Sequence, residues 1–76
     1  MKMIKIDVGG MTSESDVNKL NAILMESISG VKMTDAVLKK QAVYIIIDNH
    51  IDAESIKNII RNAGYTPGLY ISWIIS

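Results

Sequence analysis

The sequence predicts an α+β fold: four strands in one antiparallel sheet, with two helices packed on one of its faces, in the order βαββαβ. Three observations predict it. Apolar residues recur every second position in "MKMIKIDV", the period of a strand, and "VKMTDAVL", "QAVYIIID" and "LYISWIIS" are short runs rich in β-forming residues. Between them lie two stretches in which apolar residues recur every three or four positions, the period of a helix. The two kinds of segment alternate in the βαββαβ order without a linker, an internal repeat or a low-complexity tract.

Each element has its own signal. In the first strand Ile4, Ile6 and Val8 alternate with Lys5 and Asp7, which gives one buried face. From Val17 the pattern changes: Val17, Leu20, Leu24 and Ile28 form one helical stripe, and Gly30 fits the left-handed position that ends the helix. Two β-rich runs, residues 31–38 and 41–48, are separated by Lys39-Lys40 and read as a hairpin. Asp52 caps a second helix with Ile56, Ile59, Ile60 and Ala63 on its stripe, Glu54 and Lys57 spaced to pair, and Gly64 as its stop. The last strand is expected from about Leu69 to Ile75, after the Pro67-Gly68 break. This order is the ferredoxin-like, split βαβ arrangement. Right-handed crossovers place strands one and three at the centre and strands two and four at the edges. With strands one and three taken as parallel to each other, the loop after strand three falls at the same end of the sheet as the loop after strand one.

Composition limits the function. The 76 residues, 49% of them hydrophobic, form a single domain over residues 1–76, and a chain of that size buries only roughly 60% of its extended surface. Eight basic and eight acidic side chains cancel, so no field favours nucleic acid, an anionic membrane or an acidic substrate. No cysteine is present, which removes disulfides, thiolate metal sites and a cysteine nucleophile together. The N-terminus lacks the continuous apolar core of a signal peptide, so a cytoplasmic location is expected. The apolar C-terminal segment is far shorter than the ~20 residues a spanning helix needs.

Nothing points to an enzyme. No Gly-x-Ser-x-Gly motif is present, and Gly9-Gly10 lacks the further glycines and the lysine of a phosphate-binding loop. So small a domain has little room for an enclosed substrate pocket.

"GMT" at Gly10 to Thr12, Val17 and Leu24 in the first helix, "GV" at Gly30-Val31, "QAV" at Gln41 to Val43, the Asp52 cap and "AGY" at Ala63 to Tyr65 together resemble the heavy-metal-associated (HMA) domain family, which includes small copper chaperones and the N-terminal modules of copper-pumping ATPases. The resemblance covers nearly the whole chain. It implies a loop that continues GMT with Cys-x-x-Cys, whose thiolates hold Cu(I) or sometimes Zn(II). Ser13 and Asp16 stand at those two positions.

The replacement changes the chemistry. Cu(I) selects soft sulfur donors, whereas a hydroxyl and a carboxylate are hard oxygens, and Mg(II) or Ca(II) wants six or more of them. Ser13 and Asp16 have an alternative use as a helix cap. Ser13 at the N-cap accepts from the Asp16 amide, and the Asp16 carboxylate reaches back to the Ser13 amide. No metal or other cofactor is therefore expected. The secondary metal candidates are Met11, Ser13, Asp16 and His50. The resemblance implies that Met11 packs beneath the loop and that Tyr65 lies near it, in contact with Met11. His50, the only imidazole, follows strand three, and parallel strands one and three would bring it to the end that carries Ser13 and Asp16.

The third and fourth strands hold more apolar surface than one helical layer covers. Val43, Ile45 and Ile47 alternate with Ala42, Tyr44 and Ile46, and Leu69, Ile71, Trp73 and Ile75 alternate with Tyr70 and Ile74. One set of each, with Met3, is expected on the open face of the sheet, and an apolar patch of a few hundred Å² usually marks an interface. The candidate interface residues are Tyr44, Ile46, Tyr70, Ile71 and Trp73. Strand four is also an uncharged edge. The sequence thus points to a degenerate HMA-type domain that serves as a protein-interaction or self-associating module, through a homodimer or another protein partner. The alternative is a metal-trafficking protein that carries copper or a divalent ion on non-cysteine ligands in the Gly10–Asp16 loop.

Overall fold

The computed structural model describes residues 1–75; Ser76, the last residue of the apolar C-terminal segment, lies outside the described residues. The elements are β1 (Lys2–Gly9), α1 (Glu14–Ser27), β2 (Val31–Val37), β3 (Ala42–Ile47), α2 (Ala53–Asn62) and β4 (Thr66–Ile74). They form one four-stranded sheet in the order β2-β3-β1-β4, with β1 and β3 central. This is the βαββαβ fold that the periodicities predict.

The alternation in β1 resolves as expected: Ile4, Ile6 and Val8 are fully buried beneath the helices. In β3 the residues that join the core cluster are Val43, Ile45 and Ile47, so Tyr44 and Ile46 turn to the open face. From above, Val17, Leu20 and Leu24 of α1 and Ile56 and Ile60 of α2 close the core. Burying such apolar side chains is the main term that holds a domain of this size together. Asn21 fastens α1 to β2 from the rim of the stripe. Its Oδ1 accepts from the Ala36 amide at 3.0 Å. Asp52 caps α2 by accepting from the Ser55 amide at 2.9 Å, and Glu54 lies 3.9 Å from Lys57.

Three expectations are corrected. Every neighbouring pair in the sheet is antiparallel, β1 with β3 included: Lys2 lies opposite Ile47 and Asp7 opposite Ala42. The end of β3 therefore lies at the start of β1, and His50 is at the opposite end of the sheet from the β1–α1 loop. At roughly 3.3 Å per residue the seven steps of β1 separate them by roughly 20 Å.

The helix α1 stops before Gly30. Ile28, its C-cap, is already extended with φ −126° and ψ 120°. Gly30, with φ +99°, turns the chain into β2 instead. Its backbone angle favours glycine, and a Cβ there would lie 2.8 Å from Asp48 Oδ2 and 2.9 Å from Ile51 Cδ1, so that the ends of both side chains would have to shift.

Finally, β4 begins at Thr66 and runs through Pro67-Gly68. A register shift between Ile6 and Val8 of β1 absorbs the irregularity, and proline is tolerated because one side of an edge strand has no ladder to donate to.

Candidate functional site

The β1–α1 loop carries Gly10 to Ser13 over one end of the sheet. Ser13 occupies the N-cap of α1 with extended backbone (φ −155°, ψ 169°), yet its hydroxyl makes no cap hydrogen bond. Its backbone carbonyl accepts from the amides of Asp16 at 3.0 Å and Val17 at 3.4 Å. The reciprocal bond expected from Asp16 is displaced by one residue. Asp16 Oδ2 accepts from the Thr12 amide at 2.8 Å and from Thr12 Oγ1 at 3.0 Å. Thr12 offers two donors to one oxygen, and that draws the carboxylate past Ser13.

The other carboxylate oxygen has a distant partner. Asp16 Oδ1 accepts from the Tyr65 hydroxyl at 2.7 Å. These three donors, with a smaller contribution from the Ser13 amide, therefore stabilise the ionised form and hold the Asp16 pKa down to about 2. The Thr12 amide has the largest effect, followed by the Tyr65 hydroxyl and the Thr12 hydroxyl; partial burial opposes them. The Tyr65 pKa is raised, first by its bond to Asp16, then by burial and by the carboxylate charge. The ring of Tyr65 is buried, and the Lys19 ammonium lies 5.6 Å from its centroid.

Met11 is buried in the core beneath the loop, and its carbonyl accepts from Gln41 Nε2 at 2.9 Å. The same Nε2 donates to the Leu38 carbonyl at 2.8 Å. The side chain of Gln41 thus ties the β2–β3 turn to the β1–α1 loop. The structure brings Met11, Ser13, Asp16 and Tyr65 together, and leaves His50 at the far end. Sequence reasoning missed Thr12, Lys19 and Gln41 as parts of this cluster. The signal for the central bond was present in the pairing of a carboxylate at position 16 with a tyrosine, rather than a phenylalanine, at position 65.

As a metal site the cluster fits poorly. Both oxygens of Asp16 already accept hydrogen bonds, the Met11 side chain points into the core, and Ser13 supplies one hard, neutral oxygen. Among the described residues no group of three or more His, Cys, Asp or Glu converges on one point. A hollow of ≈ 260 Å³ between the helices, lined by Ile23, Ser27, Ile59, Asn62 and Ala63, holds no acid, base or ligating imidazole.

The open face of the sheet carries one apolar row beside a row of mixed charge and apolar groups. One row crosses all four strands as Met33, Ile46, Met3 and Trp73; the next holds Asp35, Tyr44, Lys5 and Ile71. Met33 and Trp73 are each 43% exposed, and Ile71 is 61% exposed. Of the five candidate interface residues, Tyr44, Ile46, Ile71 and Trp73 share this face. Tyr70 does not. It lies opposite Ile6 on the helix side, where the Lys57 ammonium stands 5.7 Å from its ring centroid. Met33 belongs to the patch and was not anticipated, because β2 carries charge at Lys32 and Asp35.

The copper binding domain of HMA7, a P-type ATPase, matches this structure with a TM-score of 0.83 and 30% sequence identity, over 90% of this chain and 92% of that one. The chain belongs to the heavy-metal-associated domain family. A domain of the yeast copper transporter Ccc2a, solved in apo and Cu(I)-loaded states, matches at 29% identity with a TM-score of 0.83, covering 91% of this HMA domain and 94% of its own length. The CopZ metallochaperone, at 22% identity and a TM-score of 0.82, shares the fold. No protein-family model matches the chain, and no curated protein matches it either. This HMA domain has no cysteine. Among the described residues no helix is long and apolar enough to cross a membrane.

Proposed function

We propose that this HMA domain has exchanged metal carriage for association, with a second copy of itself or another protein, through the open face of its sheet and the edge strand β4, and that it works in the cytoplasm as a binding module rather than an enzyme. One observation carries the reading. At the position of the family's second thiolate, Asp16 has both oxygens committed, to Thr12 and to Tyr65. A metal ion would have to displace three hydrogen-bond donors to reach two hard oxygens, and Cu(I) gains little from oxygen ligands. The apolar row Met33, Ile46, Met3 and Trp73, with Tyr44 and Ile71 beside it, gives the domain a surface of the kind that marks interfaces.

The test is an anaerobic titration of isotope-labelled protein with Cu(I) and then Zn(II), following the amides of Gly10 to Val17 and of His50 by two-dimensional NMR at two protein concentrations. The expected result is no saturable change in the loop, with lines that broaden with concentration on β3 and β4. Saturable shifts confined to the loop at micromolar metal would overturn the proposal.

A further inference from the structure

Edge strands of soluble proteins are usually blunted by charge, by proline or by brevity. β4 is nine residues long, and the segment from Leu69 to Ile75, which runs one residue past its end, holds no charged side chain and no proline. Its side chains are apolar and exposed on both faces: Leu69 (83%), Ile71 and Trp73 on the open side, Tyr70 and Ile74 (63%) on the helix side. A strand apolar on both faces has the pattern of a sheet interior.

The backbone fixes a register. The Ile75 amide donates to the Met1 carbonyl at 3.1 Å. Because inward and outward residues alternate along an antiparallel strand, Ile71 and Trp73 bond toward β1, while Tyr70, Ser72 and Ile74 turn N–H and C=O to the open edge. Consider β4 paired antiparallel with its own copy, with Ser72 facing Ser72 on the two-fold axis. Trp73 then lies across from Ile71 of the second copy, and Leu69 from Ile75, on the open face. On the helix side Tyr70 lies across from Ile74 of the second copy. Aromatic against β-branched pairs are among the favourable cross-strand contacts, and the small side chain falls where two identical residues meet. An axis at Tyr70 would instead set Gly68 against Ser72 and Pro67 against Trp73. At Ile74 the strand would end before a ladder formed. The segment is self-complementary about Ser72 alone.

Charge agrees with this register. In an isologous contact, residues near the axis meet themselves or their close neighbours, so a charge there repels its own copy. β4 has none in that segment. Lys57, which stands over Tyr70, is paired with Glu54.

We propose that β4 pairs antiparallel with β4 of a second copy of this chain, centred on Ser72, so that the sheet continues across a homodimer of eight strands with all four helices on one face. The proposal rests on the reading of the domain as an association module and names its partner. The row Met33, Ile46, Met3 and Trp73 then runs on into Ile71 of the second copy.

The absence of cysteine makes the test clean. Residues facing each other in a hydrogen-bonded antiparallel pair have Cα atoms about 5.5 Å apart, within the range a disulfide spans. Ser72→Cys should form a covalent dimer on mild oxidation, whereas Glu26→Cys, exposed on α1, should not. Ser72→Lys, which puts two ammonium groups at the axis from an exposed position, should lose half the sedimenting mass with an unchanged circular dichroism spectrum. The proposal is overturned if the unaltered chain sediments as a monomer at every concentration. It is overturned as well if Ser72→Lys remains a dimer. Persistence of that dimer with loss of association in Ile46→Lys would place the contact on the sheet face, ending the edge pairing while leaving the association module standing. Saturable binding of Cu(I) in the loop would instead strike at the association reading itself.

Discussion

The Tyr65 hydroxyl donates to Asp16 Oδ1 at 2.7 Å across 49 residues of sequence, joining the segment after α2 to the first turn of α1. Asp16 in turn holds Thr12, so one carboxylate ties the loop, the helix start and the entry to β4 together. A metal ion held by two thiolates at positions 13 and 16 would fasten the loop to the helix but would not reach position 65 through those ligands. Here the fastening is made of hydrogen bonds among ordinary side chains.

Removing the hydroxyl isolates its share. Tyr65→Phe keeps the buried ring and deletes one of the three donors, so the Asp16 pKa should rise from about 2 part of the way toward 3.8, since the two Thr12 donors remain. Carboxyl carbon shifts followed through an acid titration measure this directly. An Asp16 titration identical in both proteins would mean that the bond does not persist in solution.

Stability should depend on pH at both extremes through the same pair. Asp16 is depressed in the folded state, so its contribution is fully present above the unfolded value of 3.8 and is lost as pH falls through about 2. Asp52, also lowered by its bond to the Ser55 amide, acts in the same direction. Tyr65 is raised, so its contribution is present below its unfolded value of 10.0 and disappears as pH rises through the higher folded value. Urea midpoints recorded against pH should fall at both ends. Asp16→Asn should flatten most of the acid limb, and Tyr65→Phe the alkaline one. An acid limb unchanged by Asp16→Asn would show that other carboxylates control it.

How much of this was legible in the sequence depends on what periodicity encodes. Alternation at Ile4, Ile6 and Val8, and the stripes through Leu20, Leu24, Ile56 and Ile60, report which residues share a face, and those assignments agree with the core. Periodicity carries no information on strand direction, so the parallel reading of β1 and β3 moved His50 to the wrong end. Nor does it say which of two apolar faces meets the helices, which is why Tyr70 was grouped with Ile71 and Trp73. The loop chemistry was half legible. A carboxylate three residues after an N-cap is a local signal, whereas the choice of Thr12 over Ser13, and the bond from Tyr65, depend on contacts that only the folded chain creates.

Two glycines separate backbone cost from steric cost. Gly30 and Gly64 both have φ +99°, but a Cβ at Gly64 meets nothing within 4 Å, whereas one at Gly30 meets Asp48 and Ile51 below 3.0 Å. Gly64→Ala should therefore cost only the left-handed penalty of roughly 1–2 kcal/mol. Gly30→Ala should cost more, because Ile51 is a core residue and Asp48 is held near Lys32. Chemical denaturation of the two variants gives the comparison, and equal losses would show that the surroundings of Gly30 yield freely.

Thiolates restored at positions 13 and 16 would reveal whether this loop can hold a metal ion when it carries the family's donor atoms. The chain as a whole shares its fold with the copper binding domain of HMA7, and Met11 packs in the core beneath the Gly10–Ser13 loop. If only the donors have changed, the double variant Ser13→Cys with Asp16→Cys should bind Cu(I) stoichiometrically, with a new thiolate-to-metal absorption in the ultraviolet. The unaltered chain should give none. The variant also sacrifices the bonds from Asp16 to Thr12 and Tyr65, so its metal-free form should show faster amide exchange at Thr12 and at the start of α1. Binding of Cu(I) should slow that exchange again, because two thiolates sharing one ion fix the same segment by another route. If the double variant takes up no Cu(I), the loop has diverged beyond its two ligand positions. The Asp16 to Tyr65 connection would then belong to a reshaped loop rather than to a simple exchange of ligands.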